Sequence, residues 1–459
     1  MSAVLDRAIA GGLLVALIFT ALAFGANEAW SVGLFELLIT LLLLLWAVKW
    51  VKEKEVQITL PSTVWPLAGL CGLGLAQGVS LSLDREATRG ATIAIFFMLA
   101  AMVIAANFFV TRQRVSLLVN VLVIYGMALA VFGVVQYFTF EGKIYWVRPT
   151  PFLAFGPFPN RNHYAGYIEM LAPLPFALIA ARAVRRQSWL FYGFGGVLMA
   201  VSVFVSLSRG GMMSVVAGIA FVAMLSSRVK PRRAPRQVRD AVIVPSRWQR
   251  AFLMAKRLGG ATVIAMAIIV GIFWIGAEGL INRAADSLEA MKSEADTPSA
   301  LFSRQEIWKD TWKMVRAHPL AGSGLGAYQA IFPNYARHDG MYAVNYAHND
   351  YLQAVSDGGM IAGALALWFI VLLGRAVWRA TQAEDPLEAG LALGGGGGLF
   401  ALLVHSAFDF NLQIPSNALL FVFLSAIVAR IAATVNQRKT AGRVARAAPL
   451  EAGGLPTGV

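Results

Sequence analysis

Apolar runs of about twenty residues recur along almost the whole chain, and they constrain its fold more than any other feature. Of the 459 residues, 58% are hydrophobic and only 14% are charged. Charged residues normally make up about a quarter of a soluble domain, so a water-soluble fold could not bury this much apolar surface. A span in a bilayer must satisfy its own backbone hydrogen bonds, which favours helices. The sequence therefore predicts an all-α polytopic membrane protein.

We predict about twelve spans, counted as runs long enough to cross the hydrocarbon core. The runs are continuous, whereas a transmembrane β-barrel would need short alternating segments. The third span is marginal because of its glycines, and a glycine run at 394–398 weakens the eleventh, although membrane helices tolerate glycine well. The predicted spans are 9–26, 31–50, 61–80, 90–110, 116–139, 162–181, 189–207, 211–226, 259–277, 358–379, 388–408 and 415–434.

The distribution of Lys and Arg predicts the orientation, because cytoplasmic loops carry the excess of basic residues. With the N-terminus in the cytoplasm, most of the 39 basic residues fall in inside loops, and both termini are cytoplasmic. The largest cluster, in the loop 228–257, is interpreted as a topological segment that contacts anionic lipid headgroups, with partner docking as the alternative. The net charge of +14 does not indicate nucleic-acid binding, since no recognition motif accompanies it.

The spans divide the chain into four parts. These are an N-terminal transmembrane bundle at 1–277, a helical outside loop at 278–357, C-terminal transmembrane helices at 358–440, and a disordered cytoplasmic tail at 441–459. The outside loop is too long and too aromatic for a simple connector. The single cysteine, Cys71, excludes an internal disulfide and a cysteine metal cage. No metal or nucleotide motif is present, so no metal and no cofactor is expected.

Two arginines stand out on the predicted outside face. Arg209 lies in the short connection Ser208–Gly211 between two spans, where it either snorkels or contacts an anion; the flanking glycines would let a ligand approach. Arg304 opens a segment with Ile307, Trp308, Thr311, Trp312 and Val315 at helical spacing, which predicts an amphipathic helix that Ser303 could cap. Arg304 either pairs locally on this helix or binds a ligand.

His348 precedes Asn349 and Asp350, which are both good helix N-caps, and then Tyr351. A histidine near a helix N-terminus favours the neutral imidazole, which can act as a base, although a single histidine is more often structural.

Further polar residues are expected to line a cavity at the outside ends of spans. Arg161 and Asn162 open the sixth span, where Asn162 could instead be its cap. His405 and Asp409 lie four residues apart at the end of the eleventh span, where mutual pairing is the alternative to lining a cavity. Asn349, Asp350 and Tyr351 complete this set of candidates.

In combination, these features resemble the O-antigen ligase/polymerase superfamily of bacterial envelope glycosyltransferases. The resemblance covers residues 10–435 and rests on the many spans, the late outside loop and several short motifs. The motifs are Pro159–Ala165, Ser208–Gly211, Arg304 with Ile307 and Trp308, Gly322–Gly326 and His348–Leu352.

The resemblance implies an inverting, metal-independent transfer of a glycan from undecaprenyl diphosphate to an acceptor hydroxyl on the periplasmic side of the bacterial inner membrane. The acceptor would be lipid A–core in a ligase or a lipid-linked glycan in a polymerase. By position, Arg209 and Arg304 match the diphosphate-binding arginines of the family, and His348 matches its catalytic histidine. A lipid-linked oligosaccharide flippase or another transporter is the alternative outside the enzymes, and a protein O-oligosaccharyltransferase is a further one within them.

Overall fold

The part of the chain that the structure describes folds as a bundle of helices with almost no strand. The computed structural model describes residues 2–139, 142–150, 154–229, 304–337 and 344–447. Within this part, ten helices are long and apolar enough to cross a membrane, which confirms the all-α polytopic fold. The predicted ninth span, almost all of the basic loop, residues 278–303 with Ser303, His338 and the end of the tail lie outside the described residues.

The helices up to the first long gap are α1 (Ser2–Leu22), α2 (Ala29–Glu53), α3 (Val64–Ala76), α4 (Arg85–Phe108), α5 (Arg112–Thr139), α6 (Arg161–Leu171), α7 (Pro173–Ala180), α8 (Trp189–Val205) and α9 (Arg209–Leu225). A π-helical turn, Gln77–Leu81, extends α3. After the gap come α10 (Arg304–Ala317), α11 (Tyr328–Ile331), α12 (Asp350–Ala380), α13 (Pro386–His405) and α14 (Pro415–Ala447). A short antiparallel hairpin, β1 (Lys143–Ile144) and β2 (Arg148–Pro149), follows α5. Single 3₁₀ turns lie at Phe24–Ala26, Arg186–Ser188, Ser226–Arg228, Phe332–Asn334 and Asn411–Gln413.

The predicted sixth span forms two helices, α6 and α7, with a turn at Ala172. Pro173 and Pro175 follow directly. Proline has no N–H to donate to the preceding turn, and its ring crowds the carbonyl four residues before it. The kink separates α6 from α7, and α9 and α13 both pack against α6.

The glycine run of the eleventh predicted span lies in α13, one of the two most buried membrane helices in the described part of the chain. This helix packs against α6, α7, α9, α12 and α14, and Gly394–Gly398 are all buried. A Cβ on Gly398 would overlap the backbone carbonyl of Met170 on α6. The run therefore permits a close approach of helix backbones, which larger side chains would prevent.

Helix α12 breaks where the predicted tenth span begins. Gly359 has φ +62° and ψ −162°, outside the helical region. The N–H of Met360 donates to Pro319 O at 2.8 Å, and the N–H of Ile361 donates to Leu320 O at 3.3 Å. Irregular backbone at membrane depth is tolerated when protein groups satisfy it, and here the loop before α11 does so.

The same loop, residues 318–327, is attached to α3 and α12. The Gly324 N–H donates to Asp357 O at 2.9 Å, and the Leu325 N–H donates to Gln77 Oε1 at 3.0 Å. Gly322 has φ +70°, and a Cβ there would overlap the backbone carbonyl of Asp357. The glycine motif of this loop thus fixes the loop against the bundle.

Gly322→Ala tests this attachment. The substitution adds left-handed backbone strain to a steric overlap, so we expect it to lower the free energy of unfolding by about 2 kcal/mol or more. Gly33→Ala is the matched control, because nothing lies within 4 Å of a Cβ at Gly33 on α2. Thermal unfolding of the detergent-purified proteins measures both. Equal stability of the two variants would contradict the assigned role of the loop.

Candidate active site

A buried carboxylate, Asp409, joins three separate parts of the chain. Its side chain is only 1% exposed. Asn162 Nδ2 donates to Asp409 Oδ2 at 2.6 Å, and Arg304 Nη2 lies 3.4 Å from the same oxygen. His348 Nδ1 lies 3.2 Å from Oδ1, and the Phe410 N–H donates to Oδ1 at 3.0 Å. Residues from α6, from α10 and from the segment before α12 therefore meet at one group that follows α13.

Hydrogen bonds hold the segment with His348 against the loop after α13. The Asp350 N–H donates to Ser406 O at 2.8 Å, and Ser406 Oγ donates to Asp350 Oδ2 at 2.9 Å. Asn349 caps α12 by accepting from the Leu352 N–H at 3.0 Å, and its Nδ2 donates to Ala407 O at 3.1 Å. His348 itself has φ +50°, a left-handed conformation that is uncommon outside glycine and more frequent at functional sites.

The ring of Phe410 sets the orientation of the His348 ring. His348 meets Phe410 edge-on, with centroids 4.8 Å apart, and Tyr346 stacks on Phe410 at 4.5 Å. His163 contacts the same ring at 5.0 Å. With Asp409 bonded to Nδ1, the histidine ring is held on two sides, and its Nε2 edge points away from Asp409.

A cavity of about 350 Å³ adjoins Asp409. The N-termini of two helices, α6 and α9, lie at this cavity. A helix N-terminus favours an anion because of its free N–H groups and the positive end of its dipole. Three arginines line it, one from each of α6, α9 and α10. Its lining is Arg161, Asn162, Leu207, Arg209, Gly210, Arg304, His405 and Asp409. The arrangement suits a ligand with two or more negative charges, because guanidinium groups bind phosphate oxygens in a forked geometry.

Local structure directs Arg209 into this cavity. Leu207 has φ +57°, which turns the chain sharply out of α8. Ser208 Oγ then accepts from the Gly211 N–H at 3.2 Å and caps α9, so Arg209 is the first residue of that helix. The flanking Gly210 was expected to admit a ligand; a Cβ there would lie 2.7 Å from His405 Nε2, so the group that approaches it is the His405 ring.

His405 pairs with a carboxylate that sequence reasoning did not single out. His405 Nδ1 lies 2.9 Å from Glu169 Oε2 and 3.1 Å from Oε1, and both side chains are at most 1% exposed. The side chains of His405 and Asp409 do not pair with each other. Asp409 instead contacts His348, Arg304 and Asn162. His405 and Asp409 both line the cavity.

Asp409 is held ionised. Burial by itself raises the pKa of this carboxyl, but the hydrogen bond and charge of His348, with the charges of Arg304 and His163, bring the pKa well below its usual value. A carboxylate in this state orients a histidine and stabilises the imidazolium that forms when the ring takes a proton. The arrangement can therefore support general-base chemistry beside an anion site.

The structure brings together most of the residues that the sequence singled out. Arg161, Asn162, Arg209, Arg304, His405 and Asp409 line one cavity, and His348 adjoins it through Asp409. Asn162 is not the cap of α6, because Asn160 accepts the Asn162 N–H at 2.8 Å. Asp350 and Tyr351 line a second cavity, which is mostly apolar and about 330 Å³ in volume, between α3, α4, α12 and α14.

The amphipathic helix expected after Ser303 is α10. Ile307, Thr311 and Val315 are buried, as expected, and Trp308 donates from Nε1 to Ala347 O at 2.9 Å. Trp312 is 48% exposed, so it does not belong to the packed face. Within the described residues, no group of three His, Cys, Asp or Glu side chains is placed to hold a metal ion.

Two site residues escaped sequence reasoning, Glu169 and Phe410. Glu169 is an ionisable residue inside a predicted membrane span, a signal that points to a functional site with a partner. Phe410 carried no comparable signal, since an aromatic residue at the end of a span is common.

A family model described as O-Antigen ligase matches residues 194–367. The matched range contains Arg209, Arg304 and His348, and it ends before His405 and Asp409. No curated protein matches the chain. The match supports the resemblance that the sequence motifs indicated.

Asp409→Asn tests the charge at the centre of the site. The folded-state pKa is depressed, so the stabilising contribution of Asp409 is complete above its unfolded-state value near 3.9 and is lost only as the pH falls below that value. We expect the variant to be less stable by about 2 kcal/mol, as is usual for a broken buried charged hydrogen bond. At every pH between 5 and 8, the variant should remain less stable than the wild type in thermal unfolding. A difference that disappears near pH 6 would contradict the assigned ionisation.

Proposed function

We propose that this chain, a member of the O-antigen ligase superfamily, transfers a glycan from undecaprenyl diphosphate to an acceptor hydroxyl. The acceptor is the sugar of lipid A–core, and the reaction takes place at the periplasmic side of the bacterial inner membrane. One observation carries the proposal. The cavity lined by Arg209 and Arg304 shares the Asp409 carboxylate with His348, so an anion site and a candidate base lie on either side of one group.

The arginines provide the donor site. Arg209 and Arg304 line the cavity from different helices, which suits two phosphate groups better than one. Arg161 adds a third positive charge from the first turn of α6. As the bond from the sugar to the diphosphate breaks, negative charge grows on the leaving oxygen. Fixed guanidinium groups stabilise that charge without reorganising, which is the usual largest contribution to catalysis.

His348 provides the acceptor site. Its Nδ1 is engaged by Asp409, so Nε2 is the nitrogen that accepts the proton of the acceptor hydroxyl. The acceptor oxygen forms a bond to the anomeric carbon while the bond from that carbon to the diphosphate oxygen breaks, and the bonding electrons leave with the diphosphate. Attack opposite the leaving group inverts the anomeric configuration. The proton remains on His348 and is released to solvent after the product departs.

The apolar cavity between α3, α4, α12 and α14 supports a lipid-linked substrate. Its lining is mainly apolar, with Leu67, Ile95 and Phe369 among the residues, and it reaches Asp350 and Tyr351 next to His348. A hydrocarbon chain in this cavity would keep the reacting head of the lipid at the site. The mainly apolar lining matches the hydrocarbon part of a lipid-linked substrate.

Variants at the three proposed residues test the reaction. His348→Ala, Arg209→Ala and Arg304→Ala should each lower transfer from a lipid-diphosphate glycan by about 10²-fold or more, since each removes a base or a charge contact to the transition state. His318→Ala and Arg316→Ala are matched controls. His318 contacts Tyr335 Oη at 3.2 Å, and Arg316 lies in the exposed last turn of α10.

Turnover of the purified, folded variants is measured in detergent, with no enclosed membrane compartment. Near-normal turnover in all three variants would contradict the proposal. Lipid flipping by the wild type in vesicles, together with an absence of turnover in detergent, would support the transporter alternative instead.

The acceptor is tested by mass analysis of envelope glycans after deletion of the gene. If the chain is a ligase, lipid A–core accumulates without its polymer, because the last transfer is missing. A polymerase, which uses the same chemistry on a lipid-linked glycan, would instead leave single repeat units on the core. Polymer of normal length on lipid A–core would contradict both assignments.

A further inference from the structure

The Glu169–His405 pair is the most enclosed pair of ionisable groups in the part of the chain that the structure describes. Glu169 is 0% exposed and His405 is 1% exposed, and both Glu169 oxygens lie within 3.1 Å of His405 Nδ1. Glu169 comes from the last turns of α6, and His405 is the last residue of α13. The pair therefore connects two helices that each have one end at the arginine cavity, the N-terminus of α6 and the C-terminus of α13.

Stability alone gives a weak reason for such a pair. Removing two charges from water costs several kcal/mol per ion, and apolar residues of similar volume are often as stable. An ionisable residue within a membrane span usually marks a functional pathway or site. The glycine run of α13 by itself leaves room for a close approach of α6, which does not require an ion pair.

The geometry directs one side of the His405 ring to the carboxylate and the other side to the cavity. Nδ1 is taken by Glu169, and His405 is one of the residues that line the cavity. The Cδ2–Nε2 edge lies against Gly210, the residue that follows Arg209 at the N-terminus of α9. His405 Nε2 therefore lies next to the backbone of Arg209 and Gly210 in the wall of the cavity.

We infer that His405 is a further diphosphate-binding group beside the arginines, which donates a hydrogen bond from Nε2, and that Glu169 is its positioning residue. The inference rests on the proposed donor site. A carboxylate on Nδ1 keeps a proton on that nitrogen. In the neutral ring, Nε2 then carries a lone pair and repels a phosphate oxygen; in the imidazolium it carries a proton and donates. Diphosphate binding is therefore coupled to proton uptake at His405.

This coupling distinguishes His405 from the arginines, which stay charged at every pH of interest. It also separates donor binding from acceptor activation, because His348 must be neutral to act as a base. The donor KM should rise with pH as His405 loses its proton. The charged and titratable groups that face His405 are Glu169 and His163 on α6, Arg161 at the start of α6, Arg209 on α9, Asp350 at the start of α12, Arg304 on α10 and Asp409.

The first test uses the full-length protein in detergent with two probes, inorganic diphosphate and a short-chain prenyl diphosphate. Titration calorimetry in two buffers of different ionisation enthalpy measures the affinity and the protons taken up. His405→Gln keeps a hydrogen-bond donor but cannot gain a charge. Glu169→Gln keeps the ring but removes the carboxylate that orients it. Tyr167→Phe is the matched control, since Tyr167 lies on α6 and donates to Leu17 O on α1, away from the cavity.

We expect both variants to bind diphosphate about tenfold or more weakly at pH 6, the loss of one charge-assisted hydrogen bond. His405→Gln should also lose proton uptake on binding, and its donor KM should no longer rise with pH, while the pH profile of kcat is retained. A purely structural role would lower the unfolding temperature without removing the proton linkage. Tyr167→Phe should bind as the wild type does.

Two outcomes would overturn the inference. One is wild-type affinity in both variants, and the other is unchanged proton uptake in His405→Gln. If either variant is too unstable to purify, the wild type remains decisive, because diphosphate binding that takes up no proton at any pH of the titration contradicts the coupling. Arg209→Ala and Arg304→Ala, measured alongside, separate the two hypotheses. If they bind diphosphate normally, the proposed donor site is wrong; if they alone weaken binding, only the role of His405 and Glu169 is wrong.

Discussion

The site depends on one buried carboxylate, Asp409, whose charge is balanced by groups from distant parts of the chain. Asn162, Arg304 and His348 all reach it, and its 1% exposure leaves water little access. A charge in such a place is stable only when it is paired and hydrogen-bonded. Asp409 therefore determines where α10 and the start of α12 lie relative to the bundle, and the same contacts orient the candidate base.

Close packing of α13 makes this arrangement possible. Because Gly398 lets α13 lie against the backbone of α6, the ends of these two helices come together at the cavity. His405 then reaches Glu169, and Asp409 reaches Asn162. A helix of larger side chains would separate the two elements and, with them, the arginine cavity from the carboxylate. The glycine run thus acts on the site through the distance between helices.

The two histidine–carboxylate pairs suit different tasks. The His348 ring is partly exposed at 31%, so an acceptor can reach it, whereas His405 is enclosed and faces the cavity from within. A partly exposed base exchanges its proton with solvent after each turnover. An enclosed, protonated ring can donate a hydrogen bond to an anion in the cavity. The same residue type can therefore serve the acceptor on one side of Asp409 and the donor on the other.

Sequence alone determined the helical membrane fold, because apolar runs of bilayer length leave the backbone no other solution. It also singled out Arg209 and Asp409, since charged groups at the ends of spans are costly without a use. Arg304 and His348 stood out because they lie at the starts of predicted helices on the outside face. Only the tertiary structure decided which of these groups meet. Helical spacing suggested that His405 pairs with Asp409, but helix packing gave each a partner from another element. Such partners depend on how close two helices approach, which periodicity along one helix does not contain.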